Sequence, residues 1–313
     1  MTPKINSPKF AFYYLLVLVA LIFTAIATGQ IIFQFINQNL PDIFGQYGTD
    51  FSSDILKFAI SAILIAAPIF YIVSNLIYKH LFKGDMEKDS EIRRWLTYFI
   101  LFISAVIIIV FLIITINNFL NGEWTSKFLL KMLTVIGLAA MVFSFYLYDI
   151  RRPKVLGKKD KVFRVYFFAS LAIIVTVFSA ALFIVETPQQ ARDRRIDERI
   201  INNFYNIESG INSYYNTNHK LPATLDDIQK ESIATDSLID PGTRETFGYK
   251  PGSDVNYQLC ANFRTDNKNS KDVAYQYLDQ NRRHAAGSEC LDFRAYDDNL
   301  KEPVPASVST PVK

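Results

Sequence analysis

The feature that most constrains this chain is an alternation. Five apolar runs, each long enough to span a bilayer, fill the first 185 or so residues, and the links between them are alternately rich and poor in Lys and Arg. A spanning helix needs roughly 20 apolar residues. The runs are about Phe10–Ile36, Ile55–Tyr78, Trp95–Ile116, Phe128–Ile150 and Val165–Glu186. The link after the first has no Lys or Arg. The second has Lys79, Lys83, Lys88, Arg93 and Arg94. The third has Lys127 alone. The fourth has Arg151, Arg152, Lys154, Lys158, Lys159, Lys161 and Arg164. Short basic loops stay on the cytoplasmic side. All four links then agree on one orientation: the N-terminus inside, the second and fourth links inside, and everything after the fifth run outside.

The first run follows Lys4 and Lys9, and Ala25–Ala27 has the small-x-small form of a cleavage site. Its length exceeds a signal h-region of about 7–15 residues, and apolar residues resume from Ile31 to Ile36. We read it as a retained helix, with cleavage after Ala27 as the alternative.

Charge supports the division. Residues 1–185 carry a net +7 and residues 186–313 a net −4, against +3 for the whole chain. The basic excess sits on membrane links, where it reports orientation rather than nucleic-acid binding. The middles of the five runs hold no charged side chain, so the usual mark of a coupled transporter is missing. Gln30 and Gln34 share one face of the first helix, and Pro68 interrupts the second. These three are the candidate polar site of the bundle. Their other reading is interhelical hydrogen bonding and a packing kink. Arg93, Arg94, Trp95 and Tyr98, with Arg151 and Arg152, have the composition of membrane-interface anchors. Asp149 stands at the C-terminal end of its run, where the helix dipole disfavours it, and calls for a basic partner.

The stretches Glu91–Tyr98, Phe119–Lys131 and Phe143–Arg152 resemble DUF5671, a bacterial four-helix membrane domain, over about residues 8–152. That resemblance implies a four-helix bundle with a fifth helix added, and it implies no catalytic role.

After the fifth run, Thr187, Pro188 and Gln190 form a capping-box helix start. The helix is expected from about Gln189 to Asn216, with a stripe of Ile196, Ile200, Phe204, Ile207, Ile211 and Tyr214. The charges at its beginning, Arg192 to Arg199, read as a solvated face or a headgroup contact rather than a ligand site. Lys220–Ile228 reads as a loop and a brief helix. Thr246–Lys250 and Val255–Phe263 read as strands joined by a turn. Tyr214 and Tyr215, Asn218–Pro222, Asp240 and Pro241, Gly248 and Tyr249, and Tyr257–Phe263 together resemble the globular domain of type II secretion pseudopilins and type IV pilins, over about residues 189–293. The resemblance implies a long helix packed on a small antiparallel sheet. No pilin leader precedes the fifth run, so a filament subunit is not implied.

Cys260 and Cys290 are the only cysteines. Two cysteines in an exported segment are expected to pair. No metal-ligand spacing, phosphate loop, nucleophile elbow or paired-carboxylate motif is present, and the three His read as surface residues.

The expected fold is therefore a membrane α-helical bundle of five transmembrane helices plus a small extracytoplasmic α+β domain. The expected domains are a four-helix membrane domain (1–152), a basic loop and fifth helix (153–188), a pilin-like domain (189–296) and a disordered tail (297–313). The function expected is non-enzymatic, without metal or cofactor: a multi-pass cytoplasmic-membrane protein that displays a module for a pilus, secretion-type or other envelope partner. The alternatives are a small-molecule transporter or channel with an extracytoplasmic cap, and a thiol-redox protein. The partner and the oligomeric state are not legible.

Overall fold

A computed structural model describes residues 8–40, 50–83, 91–151, 160–229, 234–253, 255–276 and 278–296. The basic residues Lys88, Arg152, Lys154, Lys158 and Lys159 and the tail 297–313 lie outside the described residues. The chain divides into two compact units, Met1–Val185 with Lys271–Val273, and Glu186–Ser270 with Ala274–Lys313.

The first unit is helical. Its helices are α1 (Pro8–Asn39), α2 (Ser53–Lys83), α3 (Glu91–Leu120), α4 (Ser126–Arg151) and α5 (Lys161–Ile184). All five are long and apolar enough to cross a membrane. At 1.5 Å per residue, even the 24 residues of α5 reach about 36 Å, more than the roughly 30 Å hydrocarbon core. Each helix outruns its apolar run at one or both ends, because polar flanks still satisfy helix termini. The clearest case is α5. Its N-cap Asp160 accepts from the backbone N–H of Val162 (2.9 Å) and Phe163 (3.1 Å), which starts the helix four residues before Val165. The same carboxylate takes the Tyr148 hydroxyl of α4 (3.0 Å), and the Asp160 N–H meets the Tyr78 hydroxyl of α2 (3.3 Å).

The helix α2 continues through Pro68 from Ser53 to Lys83. Proline is tolerated inside membrane helices when neighbours compensate the freed backbone groups. The main packing partners are α1 with α2 and α3 with α4, and α1 also meets α3, α4 and α5. Small residues let the axes approach: Ala27, Ala59, Ala67 and Ala181 are buried with Ile31, Leu56 and Ile63. Most large apolar side chains of α3 point outward, among them Phe102, Ile109, Ile113 and Ile116.

The second unit is built on α6 (Pro188–Asn218). Its capping box is present: Thr187 accepts from the Gln190 N–H, and the Gln190 side chain accepts from the Thr187 N–H at 2.8 Å. His219 ends the helix in the left-handed region, φ 52°. After the short α7 (Leu225–Gln229) and a 3-10 turn (Thr235–Leu238) come β1 (Gly248–Pro251), β2 (Asn256–Phe263), α8 (Val273–Gln276) and β3 (Gly287–Arg294). The strands form one antiparallel sheet in the order β1-β2-β3. Tyr257, Leu259, Ala261 and Phe263 of β2 and Leu291 and Phe293 of β3 are buried with Ile200, Phe204, Ile207 and Ile211 of α6. Phe204 meets Phe247, Phe263 and Phe293 edge-on, with centroids 5.1, 6.3 and 6.0 Å away. The long helix on a small antiparallel sheet is thus present, and β3 adds a strand to the two that the sequence predicts.

Candidate functional site

In the second unit the two cysteines are bonded. Cys260 and Cys290 are directly opposed in the β2–β3 register, and their side chains form a disulfide across 30 residues of sequence. They alternate with the inward Leu259, Ala261 and Leu291, so the bond lies on the sheet face opposite the core. Gly248 of β1 opposes Cys260. A Cβ there would sit 3.0 Å from the Cys260 Cβ, so the close approach of β1 to the disulfide selects glycine.

Two expectations about this unit are overturned. Asp197 is not on a solvated face: it is 2 % exposed. Its carboxylate accepts the backbone N–H of Arg264 (2.9 Å) and of Thr265 (2.8 Å) and the Thr265 hydroxyl (2.6 Å). A carboxylate is buried only where it is hydrogen-bonded, and these three donors clamp α6 to the segment after β2. Arg194 is also largely covered, between Glu186 (3.2 Å) and Glu198 (2.7 Å). His284 is not a surface residue but 1 % exposed, stacked on Phe263 at 3.8 Å. Its backbone N–H donates to the Asn267 side chain (2.8 Å). Burial pushes its pKa down. The Asp197 charge, hydrogen bonds to the carbonyls of Ala285 and Thr265, and the Glu289 charge oppose that push without reversing it. Glu289 meets Lys268 and the Ala285 N–H. Burial raises its carboxyl, but those partners together hold it below its ordinary value.

In the first unit the interface-anchor set separates. Trp95 and Tyr98 are 65 % and 60 % exposed, and Arg94 and Arg151 are exposed. Arg152 lies outside the described residues. Arg93 departs from the set: it is 5 % exposed and ion-paired with Asp149 of α4. Asp149 therefore has a basic partner, but one from α3 rather than from its own basic end. The pair lines a small cavity of about 70 Å³ with Tyr14, Tyr146 and Ser74. A removed partner would leave a buried charge, so the pair is an obligate feature of the α3–α4 contact.

The candidate polar site does not assemble. Gln34 is 2 % exposed, and its side-chain oxygen accepts the Ser52 N–H at 2.7 Å. Asn37 makes the companion bond to the Asp50 carbonyl (2.8 Å). Together they shape the entry into α2. Gln30 is half-buried. Pro68 is exposed and lines an apolar groove between α2 and α5 with Ile63, Tyr71, Phe167 and Ile174. Gln34 thus has a structural partner, and Pro68 belongs to a groove that neither glutamine lines.

The sequence marks Asp149 as needing a basic partner without saying which, and it gives no signal for the Asp197–Thr265 pair, because the partners are 56 and 68 residues apart. Neither a curated protein nor a solved structure matches the chain. Residues 11–146, covering most of α1 to α4, match the family model of a domain of unknown function, DUF5671.

Proposed function

We propose that the chain is a multi-pass protein of the cytoplasmic membrane that anchors a disulfide-stapled α+β module on the extracytoplasmic side and presents it to a protein partner of the envelope, in the manner of a pseudopilin-like domain held at the bilayer. One observation carries this reading: the disulfide lies in the segment that the loop charges assign to the outside. Disulfides persist in oxidising compartments, and short basic loops stay inside. These are independent rules, and they agree.

The test is photo-crosslinking in cells from the full chain carrying a photoreactive residue at the exposed Tyr296. The expected result is a specific adduct with an envelope protein. No adduct, together with full rescue of a deletion strain by residues 1–188, would remove the proposal. A second reading, passage of a small solute through the bundle, draws on the Arg93–Asp149 pair, which is buried at the ends of α3 and α4 beside a small cavity. Unchanged solute flux after replacing both with leucine would remove it.

A further inference from the structure

The start of α6 conceals a charge separation. Residues 186–199 hold Glu186, Asp193, Asp197 and Glu198 against Arg192, Arg194, Arg195 and Arg199, so the stretch is neutral by count. The fold sorts these charges onto different faces. Each acidic group is engaged within the second unit. Glu186 and Glu198 meet Arg194 (3.2 and 2.7 Å), and Asp193 meets Arg264 (3.3 Å). Asp197 takes the backbone N–H groups of Arg264 and Thr265. Arg194 is held in the same network. The other three arginines, Arg192, Arg195 and Arg199, are exposed, and among the described residues no ion pair engages them. At 3.6 residues per turn they lie within about 60° of one another around the helix, in a stripe about 10.5 Å long. A stretch that is neutral in sequence thus presents a wholly cationic face.

With α5 read as a membrane span, the reading on which this inference rests, that face lies close to the bilayer. Only Val185, Glu186 and Thr187 separate α5 from α6. At no more than about 3.6 Å per residue, α6 starts within about 14 Å of the last residue of α5. Arg192 follows about one turn later. The rest of the chain sharpens the contrast: residues 200–313 carry 12 Lys and Arg against 16 Asp and Glu. An anionic surface therefore attracts the arginine face and repels the remainder of the module. Guanidinium groups also match phosphate oxygens with two parallel hydrogen bonds. We propose that Arg192, Arg195 and Arg199 are a docking stripe for the phosphates of anionic lipids at the membrane surface where α5 emerges. The stripe holds the first turns of α6 against the headgroups.

The test uses the full chain in nanodiscs of phosphatidylcholine alone or of an equal mixture with phosphatidylglycerol. Phenylglyoxal modifies accessible guanidinium groups, and mass spectrometry reads the rate at each arginine. A basic side chain near an anionic surface gains about fivefold in occupancy. Arg192, Arg195 and Arg199 should therefore each react about fivefold more slowly in the mixed discs. The exposed Arg244 and Arg294 are internal controls and should react alike in both. The difference should vanish near 1 M salt, where the Debye length is about 3 Å. Arg195→Glu reverses the charge at the centre of the stripe without touching the packed face of α6. It should bring the protection of Arg192 and Arg199 below about twofold. Both faces of a disc are open to the reagent, so the outcome does not depend on which side carries the second unit. A chain that does not elute with the discs overturns the membrane reading and the stripe with it. A chain that does elute with them overturns the stripe alone if the three arginines react equally in the two discs, if the controls slow as much as the stripe, or if the protection survives in Arg195→Glu. Equal rates in both discs with slower reaction in intact cells would assign the face to a protein partner and likewise overturn the lipid proposal.

Discussion

Asp197 offers the sharpest test of how the second unit is held together. Its carboxylate takes three donors at 2.6–2.9 Å and is almost fully covered. In Asp197→Ala the N–H groups of Arg264 and Thr265 lose their acceptor, while the Thr265 hydroxyl can turn elsewhere. Each stranded donor costs about 1–3 kcal/mol. Relief from burying a charge returns part of that, so the net loss should be about 3 kcal/mol. Asp197→Asn keeps one acceptor oxygen toward Arg264 but turns an NH2 toward the Thr265 N–H. It should lose about 1.5–2 kcal/mol. Hydrogen exchange of the full chain in micelles, read by mass spectrometry, resolves this locally. A loss of 3 kcal/mol accelerates exchange of the β2 amides roughly 10²-fold, while peptides from α1 to α5 stay unchanged. The reasoning fails if both variants change exchange less than threefold. It also fails if Asn is more stable than Asp, which would mean that carboxylate desolvation outweighs the three bonds.

Further expectations follow the same logic. Arg93→Ala removes the ion-pair partner of the buried Asp149 and should lower bundle stability by about 3–5 kcal/mol, whereas replacing Arg93 and Asp149 together by leucine should be nearly neutral; tryptophan-detected melts that show equal losses for the two would contradict this. Reducing Cys260–Cys290 opens a 30-residue loop and should cost the second unit about 3–4 kcal/mol in the chain-entropy model, seen as faster proteolysis between Glu186 and Tyr296 and contradicted by unchanged cleavage. Because burial depresses the His284 pKa, the unfolded chain binds that proton first. The stability His284 contributes is therefore present above about pH 6.5 and is lost as pH falls from there toward its folded value, with a slope of at most about 1.4 kcal/mol per pH unit. Glu208, raised by burial and by the Asp279 charge, has the opposite sign but is common to both chains when wild type is compared with His284→Gln. Urea midpoints of the second unit at pH 7.5 and 5.5 should converge at the lower pH, and parallel midpoints would refute the assignment.

What the sequence disclosed was whatever is local or periodic. The five apolar runs, the capping box at Thr187 and the stripe Ile200, Phe204, Ile207 and Ile211 each carry their signal within a few turns, and the helices form there. The start of α5 was four residues early because Asp160, a good N-cap, precedes the apolar run rather than belonging to it. Strand β3 was missed because Glu289, Asp292 and Arg294 dilute its inward alternation of Leu291 and Phe293. Arg93 reads as an interface anchor and Asp197 and His284 as surface residues because charge and polarity predict exposure unless a partner is known, and each partner is distant in sequence: Asp149, Thr265 and Asn267. The polar residues that the sequence did single out, Gln30, Gln34 and Pro68, do not converge.

The account depends most on the side of the membrane that carries Cys260 and Cys290. Intact cells treated with a membrane-impermeant maleimide, with and without prior reduction, test it directly. Labelling of the full chain only after reduction is the predicted result, because the disulfide then faces the outside. Labelling that appears only once the cells are lysed would put the second unit in the cytoplasm and contradict the orientation.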